Sequence, residues 1–186
     1  MPISVMEQTI AELTAPTKGI LAMDESTGTM EKRLKNVGVQ STEETRRSYR
    51  ESLFTAPGLS DYISGVILFE ETLNQRSAAG IAFPQLLAAQ GIVPGIKVDK
   101  GTQALTNFSG DKFTQGLDGL VERLAGYKQL GARFAKWRAV FSIGDGIPSC
   151  RVMAVNADDL ARYAAICQSL DIVPIVEPEV LMARVP

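Results

Sequence analysis

The sequence predicts an α/β protein whose parallel sheet is of the (β/α)8 TIM-barrel kind, with only the first five or so β/α units present in its 186 residues. Three observations predict it. Five short apolar runs alternate with amphipathic stretches, and strands covered by crossover helices need no polar alternation. Each run ends in charged residues, which suits a barrel mouth that collects side chains from several strands. The turn after the first run, Asp24-Glu25-Ser26-Thr27-Gly28-Thr29, lacks the G-x-G-x-x-G spacing of a dinucleotide-binding sheet.

Taken in chain order, Ser4-Val5-Met6-Glu7 has the S/T-x-x-E form of a capping box and opens a first helix. Gly19 to Met23 is the first strand, ending in Asp24, Glu25 and Ser26. Ser41-Thr42-Glu43-Glu44 repeats the capping pattern, so a helix begins after Ser41. Gly65 to Phe69 is the second strand, followed by Glu70 and Glu71. Ile92 to Ile96 is the third, with Lys97 and Asp99 at its end. From Thr114 onward, Leu117, Leu120, Val121 and Leu124 fall at helical spacing. Phe134 to Phe141 is the fourth strand. After Asn156, a second helical stripe runs through Leu160, Tyr163, Ala164 and Cys167. Ile172 to Val176 is the fifth strand and leads to Glu177 and Glu179. All five strands are expected to be buried on both faces. No repeat, low-complexity segment or linker divides residues 1–186, so one domain is expected, an incomplete barrel.

Composition narrows the function. A net charge of −2 with both signs interspersed offers no basic face for nucleic acid and no polybasic segment for a membrane. No apolar run reaches the roughly 20 residues of a membrane span. Met1-Pro2-Ile3-Ser4 lacks the charged-then-apolar layout of a secretory signal, and a cytoplasmic location is expected. Histidine is absent, so acid–base chemistry falls to carboxylates, lysines or tyrosines. Cys150 and Cys167 have no ligand-like spacing and are expected to be buried small hydrophobes. Asn107-Phe108-Ser109 matches a glycosylation pattern and is expected to be a loop.

The fourth strand holds two cations two residues apart. Lys136 and Arg138 therefore point to one side and Trp137 to the other. Cations at a low-dielectric mouth call for nearby carboxylates, with Asp24, Glu177 and Glu179 as candidates, or for an anionic substrate such as a phosphate. The same charges could instead brace the barrel as an ion-pair network, or be plain exposed strand-end charges.

The segments KGILAMDESTG, TEETRRSYR, GVILFEETL, GIKVDKG, QGLDGL, FAKWR, LARYA and VPIVEPEVL occur in order from about Lys18 to Met182. In this the chain closely resembles class I fructose-bisphosphate aldolases. The resemblance implies a (β/α)8 barrel, a homotetramer in the full-length family, and no metal or other cofactor. It implies a lyase that cleaves fructose 1,6-bisphosphate to dihydroxyacetone phosphate and glyceraldehyde 3-phosphate in glycolysis and gluconeogenesis. It also implies roles. Asp24 matches the carboxylate that takes part in proton abstraction from the C4 hydroxyl. Glu177 matches the acid–base residue of carbinolamine formation and dehydration, and Glu179 a neighbouring carboxylate. Lys136 matches a cation at the reacting centre, while Arg138 and Lys97 match the phosphate side. Ser26, Thr29, Lys32 and Arg33 align with a loop that handles a substrate phosphate, and Thr29 keeps the hydroxyl of a frequent serine.

The family forms an imine on a lysine of the sixth strand, and this chain carries five strands. Its sequence departs from the family at Ala183-Arg184-Val185-Pro186, which reads as a truncation, a frameshift or a partial record. The expectation is family membership with little or no activity of this chain alone. The alternative is a non-catalytic fragment that associates with full-length subunits or binds sugar phosphates. A sugar-phosphate isomerase on the same fold is the weaker reading, since FAKWR and VEPE fit aldolase chemistry better.

Overall fold

The computed structural model describes residues 4–182. The expectations drawn from residues 1–3 and from 183–186 lie outside the described residues. Five strands, β1 (Gly19–Met23), β2 (Ile63–Leu68), β3 (Val93–Lys97), β6 (Phe134–Phe141) and β7 (Val173–Val180), form one sheet in the order β1-β2-β3-β6-β7. Every neighbouring pair is parallel. The first four expected strands fall within two residues of their predicted bounds. The fifth runs four residues further, so Glu177 and Glu179 stand inside β7 rather than after it.

The period-2 alternation of these strands divides the core in two. Outward-pointing Met23, Val66, Leu68, Ile96, Ala135 and Trp137 pack under helices α3 (Glu43–Phe54), α6 (Phe83–Ala88), α7 (Leu120–Gln129) and α8 (Cys150–Ser169). Trp137 is fully buried and lies against Tyr163 of α8, with ring centroids 5.5 Å apart. On the opposite face, Ile67, Val93, Phe134 and Val173 form a smaller apolar layer at the N-terminal end of the strands. Helix α1 (Val5–Leu13) covers that layer with Leu13 and Met6. It is held there by the buried Ser64 hydroxyl, which donates to the Leu13 carbonyl at 2.7 Å. Two strand glycines make this layer possible. A Cβ on Gly95 would lie 2.3–2.4 Å from three atoms of the Phe134 ring, and one on Gly65 would lie 2.4 Å from Leu13 Cδ2.

The structure departs from the sequence expectations at several places. The outer strands are not buried on both faces: Ile20 of β1 is 39% exposed and Val176 of β7 is 48% exposed. Each has one neighbour in the sheet, so only three strands are covered from both edges. The helix expected after Ser41 starts one residue later. Thr42 is its N-cap and forms a reciprocal cap with Thr45, while the Ser41 hydroxyl accepts from Arg46. Thr114 and Leu117 precede α7, Thr114 lying in the short hairpin β4 (Thr102–Ala104) and β5 (Lys112–Thr114), and Val121 faces solvent. Helix α8 begins six residues before Asn156, capped by Ser149, which accepts from the Val152 amide at 3.2 Å. Cys150, at the first position of α8, is exposed, contrary to expectation; Cys167 is buried, and burial pushes its thiol up to about 12. Residues 107–109 form a turn, as expected. Short helices α4 (Leu59–Tyr62) and α5 (Glu70–Asn74) complete the connections. Among the described residues no helix is long and apolar enough to cross a membrane.

Candidate active site

At the C-terminal end of the strands the inward positions change from apolar to charged. On β6 the sequence Phe134, Lys136, Arg138 carries one face from the buried layer up into a cavity of about 590 Å³. On β3 the inward positions Val93, Gly95 and Lys97 do the same, and on β7 Val173, Ile175, Glu177 and Glu179. Asp24 is the first residue after β1. Ser26 then caps helix α2 (Thr27–Asn36), accepting from the Thr29 amide, so Thr29 projects from the first turn and Arg33 from the last turn of a helix rather than from a loop.

Nine of the ten residues matched to roles in the sequence line this one cavity: Asp24, Ser26, Thr29, Arg33, Lys97, Lys136, Arg138, Glu177 and Glu179. Lys32 is exposed and does not line it. The convergence involves four strands, not five. Glu70 and Glu71 after β2 are turned aside, Glu70 to Lys100 at 3.4 Å and Glu71 to Arg46 at 2.6 Å. The cavity also takes in Glu25, Asp99, Lys100, Gly101 and Thr102, of which Glu25 and Asp99 were visible as strand-end charges.

Five cationic and five anionic side chains line the cavity, and the cations are already partnered. Lys136, 5% exposed, places its Nζ 2.8 Å from Asp24 and 3.2 Å from Glu177. Burial acts to lower its pKa, but the Asp24 hydrogen bond and the charges of Asp24 and Glu177 win, and the net shift is upward. Lys97 reaches Asp99 at 2.5 Å, Arg33 pairs with Glu25, and Arg138 pairs with Glu179. The Arg138 hydrogen bond holds the Glu179 carboxyl below the usual range, and Glu179 raises Arg138 in turn. Three lysines therefore face the cavity paired with carboxylates, an arrangement that can stabilise negative charge. Among the described residues, no group of three or more Asp, Glu, Cys or His side chains gathers as a metal site would require.

Behind the cavity a second set of charges fixes the backbone that carries Asp24. Arg50 of α3 is fully buried and donates to the Glu25 carbonyl at 2.7 Å. It lies 3.6 Å from Glu71, which also receives two hydrogen bonds from Arg46. The Arg46 hydrogen bonds hold the Glu71 carboxyl below its ordinary value of 4.5 despite burial. A lowered carboxylate pKa contributes stability that is present above 4.5 and lost as pH falls through the folded-state value. Glu71→Gln is therefore expected to destabilise the chain at pH 7, and the gap between the two in urea unfolding should close as pH is lowered below 4.5 and through the folded-state value. A gap that stays constant with pH would mean that Glu71 contributes no ionic stabilisation.

The family model of fructose-bisphosphate aldolase class-I matches residues 5–184. A probable fructose-bisphosphate aldolase class 1 of Xanthomonas campestris pv. campestris is 56% identical over 182 residues, 98% of this chain and 54% of the relative. The cytoplasmic isozyme of fructose-bisphosphate aldolase from Cicer arietinum is 56% identical over 173 residues, 92% of this chain and 48% of the relative. Among solved structures, the fructose-bisphosphate aldolase of Plasmodium falciparum, in complex with TRAP and a small-molecule inhibitor, superposes with a TM-score of 0.93 at 49% identity. That match covers 97% of this chain and 54% of the other. The chain spans about half the length of the relatives it matches.

Proposed function

This chain belongs to the class I fructose-bisphosphate aldolase family, and from that premise we propose that it carries the carboxylate-and-cation part of a site for cleaving fructose 1,6-bisphosphate. Its parallel five-stranded sheet is a part of the family's (β/α)8 barrel. The observation that carries the proposal is the meeting of Asp24, Lys136 and Glu177 within 3.2 Å at the floor of the cavity. Asp24, held beside an ammonium, is a carboxylate able to accept the proton of a substrate hydroxyl as the carbon–carbon bond breaks. Lys136 offsets the negative charge that develops there. Glu177, less buried than its two partners, supplies a carboxyl that can exchange protons with substrate and water. Glu179 orients Arg138. Arg138 and Lys97, with Ser26 and Thr29 at the N-terminus of α2 and Arg33 in its last turn, form the phosphate side, and at that N-terminus backbone N–H groups and the helix dipole favour an anion.

Imine formation needs a neutral amine, and Lys136 is pushed the other way. We therefore assign the lysines of this cavity, each paired with a carboxylate, to charge stabilisation rather than to imine formation. The test is the purified 186-residue chain with fructose 1,6-bisphosphate and EDTA, followed by borohydride reduction and mass spectrometry. No turnover and no lysine adduct are expected, with saturable sugar-phosphate binding. An adduct on Lys136 or Lys97 would overturn the assignment, and absence of binding would overturn the phosphate side.

The triose phosphate products, a homotetrameric assembly and a cytoplasmic location are proposed on the same premise, the last with the Cicer arietinum relative as its support. A second reading, a non-catalytic partner of full-length subunits, is favoured by the exposed apolar Ile20, Val176 and Val180 on the outer strands. Co-elution with a full-length relative in size-exclusion chromatography would support it.

A further inference from the structure

Strands β3 and β6 stop pairing before β6 reaches its second cation. The last register pair is Lys97 with Lys136, and the last backbone bond between the segments runs from the Val98 amide to the Lys136 carbonyl at 3.1 Å. The Val98 carbonyl, which would serve the next rung, is taken by the Arg123 guanidinium at 3.0 Å. Arg138 therefore arrives with an amide and a carbonyl facing a strand that has turned away, and buried backbone groups need partners. Side chains supply both. The Asp99 carboxylate accepts from the Arg138 amide in a long contact of 3.4 Å, and the Thr114 hydroxyl donates to the Arg138 carbonyl at 2.8 Å.

The same carboxylate does two more things. Its other oxygen accepts from the Lys97 ammonium at 2.5 Å and from the Gly101 amide at 3.1 Å, closing an Asx turn at the cavity rim. Asp99 is 8% exposed, so these contacts are made with little competition from water. Thr114 is 2% exposed and, unlike Asp99, does not line the cavity. One buried carboxylate thus ties together the Lys97 side chain, the rim at Gly101 and the β6 backbone at Arg138.

We propose that Asp99 is the positioning residue of the phosphate side: it extends the β3–β6 ladder past the end of β3 and fixes Lys97 and Arg138 in one frame, with Thr114 as its uncharged counterpart. This rests on the phosphate reading above. It runs against simple electrostatics, because removing the Asp99 charge would by itself make the cavity more cationic and a phosphate more welcome.

The test uses Asp99→Asn and Thr114→Val in the 186-residue chain, with inorganic phosphate as the probe and binding followed by 31P NMR. Loss of one orienting hydrogen bond should weaken binding roughly threefold to tenfold in each variant. Tighter binding in Asp99→Asn, or unchanged binding in Thr114→Val, would overturn the proposal and leave Asp99 as a counter-ion only. A second measurement is independent of any ligand. Amide hydrogen exchange at Gly101 and Arg138 should accelerate in Asp99→Asn relative to Phe134 on the same sheet; no relative change there would also overturn it. If the unsubstituted chain binds no phosphate, the phosphate reading fails, and the exchange rates still decide whether Asp99 holds this frame.

Discussion

Lys136→Met is expected to lower the unfolding free energy by about 3 kcal/mol, because it strands a buried carboxylate whose counter-ion has been removed. The Lys136 and Asp24 side chains are only 6% and 11% exposed, whereas Glu177, at 38%, can turn to water. Most of the loss should therefore come from Asp24. The double variant Asp24→Asn with Lys136→Met should recover more than half of it, a coupling that urea unfolding of the two singles and the double would measure. Additive losses would show that the pair does not act as a unit. The pH dependence has a definite sign. A lysine whose folded pKa is raised contributes stability that is fully present below its ordinary 10.5 and lost as pH rises through the higher folded value. Lys136→Met should lack that alkaline limb.

The second large effect is expected at Gly95. An alanine there would put its Cβ within 2.4 Å of the Phe134 ring, which is wholly buried between α1 and the sheet. Rings cannot fold out of the way as the end of a leucine can, so Gly95→Ala should cost about 3 kcal/mol. Gly65→Ala, which meets the flexible end of Leu13 at Cδ2 as its closest contact, should cost less. Adding Phe134→Leu to Gly95→Ala should raise stability although the same change in the native background lowers it. That reversal of sign, read from thermal unfolding, distinguishes overpacking from a general intolerance of strand substitutions; a loss in both backgrounds would refute the steric account.

The sequence made most of the site legible because β-strand geometry is a parity rule. Lys136 and Arg138 share a face with each other and not with Trp137, and position alone dictates this. The charges just after strands were equally visible. What parity could not show is where a charged side chain turns once the strand has ended: Glu71 and Asp24 both come after strands, yet only Asp24 enters the cavity, since Arg46 and Arg50 of α3 capture Glu71. The start of α3 was displaced by one because Ser41 and Thr42 both have hydroxyls suitable for capping, and the choice is made by Arg46, which engages Ser41. Hairpin β4–β5, with three residues per strand, carries too short a pattern to read. Exposure of the outer strands, and of Cys150, depends on which neighbours each element has, and that is a property of topology rather than of local pattern.

The alternation along β6 also limits how this chain can change over evolutionary time. Point substitutions in β6 leave the parity untouched, but inserting or deleting one residue between Phe134 and Arg138 would exchange the two faces of the remainder of the strand. Charged groups would then be driven under α8, and the indole would be presented to the cavity. A segment of this kind admits exchange of letters but not a change in their number, so length polymorphism among descendants of this sequence should be confined to the connections and absent from residues 134–141.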